Sequence, residues 1–293
     1  MARIIVTGDT GFIGRRLCSG LLKRGHTVLG ISDQDADVPW THHTMELSSD
    51  GKLQDGVQST APDVLIHLAF VIGDDVVETR SASDVNEEIT HTILKALKDT
   101  TCDIICASTC AVYGDRPEDC TTRSAPDPRS RYAQDKLTAE SLLRGEAKRS
   151  GRGLSILRLG NVYGPGDERS VIAKILHAAN DGRPFTIFSG ERIRDYVYVD
   201  DVVSAFITAV EHQPSGVHTL NVGTGHGVDV RKLISIVRDL TKKNVLVREE
   251  DGPMDYVERC VLDIGETARI LDWYPTVSLE DGIRSLWKHL IRI

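Results

Sequence analysis

A tyrosine and a lysine stand four residues apart in the segment "RYAQDK", which contains Tyr132 and Lys136. If this segment begins a helix, the phenol and the ammonium lie on one face of it. A free phenol has a pKa of about 10, and a neighbouring positive charge favours the phenolate and lowers that pKa. A phenol activated in this way can remove the proton of an alcohol at neutral pH. As a bare pattern the pair is common, so its meaning depends on the surrounding sequence.

A second group of reactive side chains, Ser108, Thr109 and Cys110, opens the segment "STCAVYG". The apolar stretch "CDIICAS" leads into them and predicts a buried strand. Cys110 shares its parity on that strand with Cys102 and Cys106, so the three thiols are interpreted as small core side chains. No Cys-x-x-Cys spacing or matching histidine pair accompanies them, and no metal site is expected.

Three glycines, Gly8, Gly11 and Gly14, follow a strand-like run in "VTGDTGFIG". Their GxxGxxG spacing differs from the GxGxxG of the general dinucleotide fingerprint. A backbone without side chains can approach a pyrophosphate, and the N-terminus of the next helix offers unpaired N–H groups. Asp33 follows Gly14 by 19 residues, close to the offset of about 20 at which an acid binds the adenosine ribose. A carboxylate there repels a 2′-phosphate, so NAD is expected in preference to NADP.

The elements that must position these residues alternate between strand-like and helix-like patterns. Strands are expected in "RIIVTG", "HTVLGIS", "HTMEL", "DVLIHLAF", "CDIICAS" and "GLSILRLG". Helices are expected in "GFIGRRLCSGLLKRG", "SASDVNEEITHTILKALKD" and "SRYAQDKLTAESLLRGEAKR". Repeated β-α units with continuous apolar strands predict an α/β fold with a doubly wound parallel sheet of the Rossmann type.

The regular alternation weakens after residue 160, which predicts a smaller C-terminal substrate-binding lobe. Its helices are expected in "SVIAKILHAANDG", in "DDVVSAFITAVEH" and near 229–241 and 279–292, and "NVYGPGD" is expected to be a loop. The predicted dinucleotide-binding domain comprises 1–160 and roughly 197–224, because the strand-like "HTLNVGTG" can return to the main sheet. Residues 161–196 and 225–293 form the predicted lobe.

Composition excludes several functional classes. The 293 residues carry 35 basic and 43 acidic side chains, a net charge of −8, which argues against nucleic-acid binding. The longest apolar stretch, "VLIHLAFVIG", is far shorter than the roughly 20 residues that cross a bilayer, and "MARIIVTG" is expected to be a first strand, not a signal peptide. With six cysteines and no secretory signal, a cytoplasmic protein with reduced thiols is expected. His42 and His43 are expected in a solvated loop.

Together these motifs resemble those of the extended short-chain dehydrogenase/reductases, in particular the NAD-dependent epimerase/dehydratase group that acts on nucleotide sugars. The segments "TGDTGFIG", "VLIHLAF", "STCAVYG", "YAQDK", "RLGNVYGPGD" and "RDYVYVDDV" occur in the family's order and span nearly the whole chain. The resemblance implies a UDP- or dTDP-linked sugar as substrate, NAD as cofactor and a homodimer. In such dimers the helices near 82–99 and 130–148 commonly pair across a two-fold axis.

The resemblance also implies site residues by position. The catalytic triad would be Thr109, Tyr132 and Lys136. The cofactor-binding residues would be Gly8, Gly11, Phe12, Ile13, Gly14, Asp33, Leu68, Ala69, Asn86, Tyr132 and Lys136. The substrate would be bound by Thr109, Asn161 and Arg194, with either Arg248 or Arg259 as a second phosphate-binding arginine. The family's ribose acid usually stands at the position of Ser32, whereas here Asp33 follows one residue later.

The residues after Thr109 narrow the implied chemistry. Family 4,6-dehydratases carry an Asp-Glu pair after the catalytic threonine, and UDP-glucuronate decarboxylases place a glutamate two positions after it. Here those positions hold Cys110 and Ala111, and neither can act as a carboxylic acid. Family enzymes that also epimerise C3 and C5 place a cysteine two positions after the threonine, not one. The leading hypothesis is therefore a UDP-hexose 4-epimerase that oxidises C4 transiently and then reduces the 4-keto intermediate.

Other readings stay open. A nucleotide-deoxysugar 4-ketoreductase would use the same triad and release its cofactor in each turnover. A dehydratase could route protons through other residues. A cofactor-binding regulator would keep the fold without catalysis, although such proteins are expected to lose Tyr132 or Lys136, and both are present.

Overall fold

The computed structural model describes residues 1–48, 52–72, 80–188, 192–251 and 257–292. In chain order its strands are β1 (Arg3–Thr7), β2 (Thr27–Ser32), β3 (Thr41–Thr44), β4 (Val64–His67), β5 (Asp103–Thr109), β6 (Leu154–Leu159), β7 (Asn161–Tyr163), β8 (Phe185–Phe188), β9 (Ile193–Tyr198), β10 (Val217–Val222), β11 (Gly227–Val228), β12 (Val247–Glu250) and β13 (Arg259–Cys260). Its helices are α1 (Phe12–Lys23), α2 (Lys52–Thr60), α3 (Ala82–Ala96), α4 (Arg131–Ser150), α5 (Val171–Asp181), α6 (Val199–His212), α7 (Val230–Thr241), α8 (Gly265–Leu271) and α9 (Leu279–Leu290). Within these ranges, no helix combines the length and the apolar character that crossing a membrane requires.

The main sheet is parallel and has seven strands in the order β10-β6-β5-β4-β1-β2-β3. The chain moves outward from β1 through β2 and β3, then crosses back to β4 and continues through β5 and β6. Thr7 of β1 pairs with Ile31 of β2 and with His67 of β4, so the carboxyl ends of these strands meet at one edge. This reversal of direction beside β1 is where doubly wound folds bind ligands. The predicted fold class is confirmed.

Both faces of the main sheet are covered. Ile5, Leu65 and Ile104 share one apolar cluster with residues of α2, α3 and α4. Side chains alternate along a strand, so Ile4 and Ile66 face the opposite side, where they are also fully buried. Helix α1, which packs on β1 and β2, contributes no residue to that cluster and covers the second face together with α6.

The main chain divides into two compact units. The first comprises Met1–Val112, Ser130–Arg158 and Val203–Leu220, and the second Tyr113–Arg129, Leu159–Val202 and Asn221–Ile293. The second unit has its own apolar core, built largely from α5, α7 and α9, and a small sheet in which β9 pairs with β7, β11 and β13. The units differ from the predicted lobes chiefly at 113–129, which we expected in the dinucleotide-binding domain.

Other differences concern elements whose partners lie far along the chain. "NVYGPGD" was expected to be a loop, but Asn161–Tyr163 forms β7 because it pairs in parallel with β9. The strand expected in "HTMEL" begins earlier, at Thr41, because its pairing with β2 ends at Ser32 opposite Thr44. Helices α2 and α8 were not predicted, since α2 contains a glycine and several polar residues and α8 has only seven residues.

The ends of α4 are set by local sequence, and this decides where its reactive residues stand. The Ser130 hydroxyl accepts a hydrogen bond from the backbone N–H of Ala133 at 3.2 Å, which caps the first turn. Gly151 ends the helix with a φ of +76°, a conformation that glycine adopts without strain. Tyr132 and Lys136 therefore occupy the first two turns.

Candidate active site

The three residues of the predicted triad lie together in the first unit, at the carboxyl edge of the main sheet. Thr109 is the last residue of β5, against which α4 packs. The Thr109 side chain is close enough to Tyr132 to lower the pKa of its phenol, and Nζ of Lys136 donates to the carbonyl oxygen of Ala107 at 2.9 Å. A hydroxyl, a phenol and an ammonium are thus gathered at one point, as proton transfer to a substrate hydroxyl requires.

Burial is the main cause of the pKa shifts of Tyr132 and Lys136. It raises the pKa of Tyr132 to about 12, with a further increase from Cys110 and a smaller opposing effect from the Thr109 side chain. Burial also lowers the pKa of Lys136 to about 8. In the chain by itself, desolvation of the phenolate therefore raises the pKa of Tyr132. The expected lowering by Lys136 together with the positive nicotinamide of an oxidised cofactor stays a prediction. A positive charge on a bound cofactor would act against burial.

A buried ion pair anchors α4 behind the triad. Arg158 of β6 donates to both carboxylate oxygens of Glu140, at 2.9 Å from Nε and 2.6 Å from Nη2. The Ser108 hydroxyl donates to the same carboxylate at 2.5 Å. Glu140 is only 1% exposed, so its charge depends on these partners. Sequence reasoning missed this pair, although Glu140 follows Lys136 by four residues and therefore lies on the same face of α4.

The cysteines near the triad are packing residues, as interpreted. All six cysteines are buried free thiols. Cys102 and Cys106 belong to the apolar cluster beneath α2, α3 and α4, and burial raises the pKa of the Cys106 thiol to about 12. Cys110 is 5% exposed. Of the three residues that open "STCAVYG", Thr109 and Cys110 both affect the pKa of Tyr132, while the Ser108 hydroxyl donates to Glu140.

Two glycines of the turn, Gly8 and Gly14, are required by close contacts within the turn. Gly8 has a φ of +75°, and a Cβ there would lie 2.8 Å from the backbone nitrogen of Ala69. A Cβ on Gly14 would lie 2.1 Å from the carbonyl oxygen of Gly8. These two glycines are therefore required by the turn itself, whether or not a ligand binds.

Gly11 differs from its two neighbours in the motif. It precedes α1 with a φ of −71°, which any residue can adopt, and no side chain caps the first turn of the helix. A Cβ on Gly11 would approach only the carbonyl oxygen of Gly8, at 3.3 Å. Among the described residues, no side chain accepts from the first N–H groups of α1, at Phe12, Ile13 and Gly14. This arrangement fits the pyrophosphate of a dinucleotide.

Ser32 stands at the position where the resemblance would place the ribose-binding acid, and its hydroxyl makes hydrogen bonds within the protein. The Ser32 hydroxyl accepts from the Thr10 hydroxyl at 3.0 Å and donates to the carbonyl oxygen of Gln34 at 3.1 Å. Ser32 is 5% exposed, whereas Asp33 is exposed. A carboxylate that binds a ribose from this loop can therefore come from Asp33 but has no counterpart at Ser32.

His42 also holds the loop after β2 in place, and it does not lie in a solvated loop as expected. His42 lies in β3, and its ring contacts Oδ2 of Asp9 at 2.8 Å and the carbonyl oxygen of Gln34 at 3.0 Å. Asp9, inside the glycine turn, is fully buried and also accepts from Nε1 of Trp40 at 2.8 Å. His43 also lies in β3 and not in a loop, although it is solvent-exposed as expected. No local sequence pattern indicates that Asp9 and His42 are in contact.

The segment after β4 carries the predicted cofactor residues Leu68 and Ala69. Their backbone N–H groups both donate to the carbonyl oxygen of Thr7 at 3.1 Å. Asn86 of α3 accepts from the backbone nitrogen of Val71 at 2.8 Å and donates to its carbonyl oxygen at 3.1 Å. Asn86 therefore fixes the backbone of this segment, and its direct contact with a cofactor stays a prediction.

Phe70, in the same segment, was missed by sequence reasoning. Its ring lies edge-on to the ring of Tyr132, with centroids 5.8 Å apart, and the Nζ of Lys136 stands 3.7 Å from its centroid. The strand order could have indicated Phe70. Strands β4 and β5 are neighbours, so the segment after β4 lies at the same edge of the sheet as Thr109.

Two of the predicted substrate residues, Asn161 and Arg194, lie in the second unit. Asn161 opens β7 and is exposed. The guanidinium of Arg194 donates to backbone carbonyl oxygens of Ile193 at 2.9 Å, Glu258 at 3.2 Å and Val257 at 2.5 Å. The structure therefore shows Arg194 holding the chain near β13, and its contact with a phosphate stays a prediction.

The two candidates for a second phosphate-binding arginine have different surroundings. The side chain of Arg248 is 71% exposed and pairs with Glu250 at 3.1 Å. Arg259 lies in β13 beside β9, pairs with Asp119 and keeps a buried Nη1 that has no partner among the described residues. Since buried donors are rarely left without a partner, this geometry favours Arg259 as the residue that awaits an anionic ligand.

Comparison with known proteins decides the family. The model of the NAD dependent epimerase/dehydratase family matches residues 4–223. The chain belongs to this family. The resemblance seen in the motifs and the assignment as an enzyme are both confirmed.

Relatives of this epimerase/dehydratase chain catalyse different reactions. It is 30% identical to a UDP-glucose 4-epimerase of Mycolicibacterium smegmatis, with 96% of each chain covered. It is 28% identical to a dTDP-4-dehydro-6-deoxyglucose reductase of Escherichia coli, covering 98% of this chain and 97% of the relative. The solved structure of MoeE5 in complex with UDP-glucuronic acid and NAD has a TM-score of 0.91 at 26% identity, with 99% of each chain covered.

Alanine substitutions separate the two kinds of glycine in the turn. We expect Gly14→Ala to lower the free energy of unfolding by about 3 kcal/mol because of its clash with Gly8. Gly11→Ala should change it by less than about 1 kcal/mol and weaken NAD binding by about tenfold, because its methyl group would face the pyrophosphate. Urea denaturation and calorimetric titration with NAD measure the two effects. Equal losses of stability in both variants would contradict this assignment.

Breaking the buried ion pair should destabilise the first unit strongly. Arg158→Met leaves Glu140 buried without its main partner, and we expect a loss of about 3–5 kcal/mol in the free energy of unfolding. The double variant Glu140→Leu/Arg158→Met is the matched control and should recover at least half of that loss. Urea denaturation monitored by circular dichroism gives both values. A loss below about 1 kcal/mol in the single variant would show that the pair is not needed.

Proposed function

We propose that this chain is a nucleotide-sugar 4-epimerase that acts on a UDP-hexose with NAD as its cofactor. The observation that carries the proposal is the grouping of Thr109, Tyr132 and Lys136, with Cys110 and Ala111 in place of carboxylic acids. Such a group can move one hydroxyl proton, but it contains no second acid or base to remove water or carbon dioxide from the sugar. Oxidation and reduction at a single carbon is the chemistry that remains.

In this proposal Tyr132 accepts the proton of the C4 hydroxyl as the C4 hydrogen leaves as hydride, which gives a 4-ketose. The Thr109 hydroxyl hydrogen-bonds the reacting oxygen, and Lys136 stabilises the phenolate. NAD, when bound, would supply the acceptor and the donor of the hydride. The ketose would turn over in the pocket so that the opposite face of C4 is reduced, and Tyr132 would give the proton back. Atoms and electrons balance, so no external reductant is needed.

The first unit would bind the cofactor. Gly8, Gly11 and Gly14 leave the N-terminus of α1 open to a pyrophosphate, and solved relatives are NAD complexes. We propose that Asp33 accepts hydrogen bonds from the adenosine ribose and disfavours NADP. The position of Gln34, fixed by two hydrogen bonds, supports this role because it holds the neighbouring Asp33 at the end of β2.

The second unit would bind the nucleotide diphosphate. We propose Asn161, Arg194 and Arg259 as its ligands, with the free donor of Arg259 as the strongest support. Guanidinium groups suit a diphosphate because their planar arrangement of N–H groups bonds two oxygens at once. A dTDP-linked sugar presents the same diphosphate, so these residues do not choose between uridine and thymidine.

Two further properties belong to the proposal. Six free cysteines fit a reducing compartment such as the cytoplasm. A homodimer formed through α3 and α4 is supported by the family resemblance alone, and light scattering coupled to size-exclusion chromatography measures the mass directly.

A 4-ketoreductase of deoxysugar nucleotides is the second candidate. It is favoured by the similarity to the Escherichia coli reductase across nearly the whole chain. The two reactions differ in the fate of the cofactor, because a reductase consumes one reduced nicotinamide per turnover and an epimerase regenerates it. Net oxidation of NADH or NADPH by a dTDP-4-keto-6-deoxysugar would favour the reductase.

The epimerase assay tests the reaction. We expect purified protein with NAD to convert UDP-glucose or UDP-N-acetylglucosamine to its C4 epimer, followed by NMR. Tyr132→Phe should lower kcat by about 10²–10⁴-fold, because general acid–base catalysis is lost. Tyr274→Phe, which alters a 60% exposed tyrosine, is the matched control. No epimer from these sugars or from dTDP-glucose, with NAD bound, would reject the proposal.

The choice of cofactor has its own test. Wild-type protein should bind NAD more tightly than NADP, and Asp33→Asn should improve NADP binding by about tenfold because it removes a negative charge beside the 2′-phosphate. Asp37→Asn, at another exposed aspartate of the same loop, is the control and should change neither affinity. Fluorescence titration with both cofactors measures the ratio. Unchanged NADP binding in Asp33→Asn would exclude Asp33 as the discriminating residue.

A further inference from the structure

The ring of Phe70 contacts both members of the acid–base pair. Its face lies against the ammonium of Lys136, 3.7 Å from Nζ to the ring centroid. Its plane makes an angle of 87° with the ring of Tyr132. Phe70 is half-buried. One aromatic side chain therefore touches the two groups whose charges decide the proton transfer.

Few groups stabilise the ammonium of Lys136. The residue is 6% exposed, and desolvation opposes its charge. From β5, Cys106 favours the charged form, as does Glu140 from α4. From β4, the buried His67 is neutral at physiological pH, because burial and the charge of Lys136 lower its pKa to about 3. Tyr132, on the same helix, is also neutral at that pH.

An aromatic face is suited to this environment. The ring quadrupole attracts a cation over its face, and the attraction is strongest where water is excluded. The Lys136 ammonium donates a hydrogen bond to the carbonyl oxygen of Ala107, which uses one of its three N–H groups. Phe70 thus faces a desolvated cation.

The backbone that carries Phe70 is held in place. On one side, Ala69 donates to the carbonyl oxygen of Thr7. On the other side, Asn86 binds both the N–H and the carbonyl of Val71. The ring is therefore presented to Lys136 by a fixed segment, and its position does not depend on loose packing.

We propose that Phe70 is a positioning residue that keeps Lys136 protonated at the working pH and orients the Tyr132 ring beside it. The inference rests on the proposed function in one respect, since it assigns Tyr132 and Lys136 as the acid–base pair. Phe70 acts through these two residues and takes no proton itself. A side chain that only filled space could be replaced by leucine without a change in the titration of Lys136.

Direct titration of the lysine tests this inference without any enzymatic assay. Lysine-selective ¹³C and ¹⁵N labelling of the full chain allows the Cε and Nζ resonances to be followed by NMR against pH, with Lys136→Met to assign the signal. We expect Phe70→Leu to lower the pKa of Lys136 by about half to one unit, because the cation–π attraction is lost. Phe70→Tyr, which keeps the aromatic face, should leave that pKa within about 0.2 units of wild type.

An unchanged Lys136 titration in a folded Phe70→Leu protein overturns the inference. If that variant fails to fold by thermal melting, Phe70→Met supplies the same comparison. The alkaline limb of the kcat/KM profile should also move to lower pH in Phe70→Leu but not in Phe70→Tyr. A shifted titration without epimerase activity would reject the proposed reaction and keep the role of Phe70, whereas activity without a shifted titration would do the reverse.

Discussion

The buried ion pair between Glu140 and Arg158 determines the geometry on which the candidate site depends. It joins α4 to β6, and the hydrogen bond from Ser108 joins the same carboxylate to β5. Thr109 follows Ser108 directly, and Lys136 precedes Glu140 by one helical turn. The network therefore sets the distance between the hydroxyl on the strand and the phenol and ammonium on the helix. A buried pair of this kind adds little net stability but tolerates few other arrangements.

The same burial creates an electrostatic requirement. Desolvation raises the pKa of Tyr132 to about 12 and lowers that of Lys136 to about 8, so the chain alone favours a neutral phenol and weakens the charge beside it. A phenol in this state is a poor base at neutral pH. In the proposed mechanism, the missing positive charge arrives with the oxidised cofactor. Proton transfer is then available only when the cofactor is bound, and this couples the two events.

Sequence reasoning identified the residues whose roles depend on local spacing. The glycine turn, the strand before Thr109 and the helix with Tyr132 and Lys136 were all predicted, because each is encoded within about 20 contiguous residues. It did not identify Phe70 or the contact between Asp9 and His42, and it predicted a loop where β7 forms. Each of these depends on segments distant in sequence, and periodicity carries no information about such pairs.

The cofactor turn shows why a motif and a ligand site need separate arguments. Gly8 and Gly14 are required because the turn packs on itself, so their presence alone is evidence for a fold. Gly11 and the uncapped first turn of α1 have no comparable structural reason, and they carry the evidence for an anion. The adjacent loop follows the same logic. Its shape is fixed by hydrogen bonds to the carbonyl oxygen of Gln34, next to the exposed Asp33 that we propose as the ligand of the ribose.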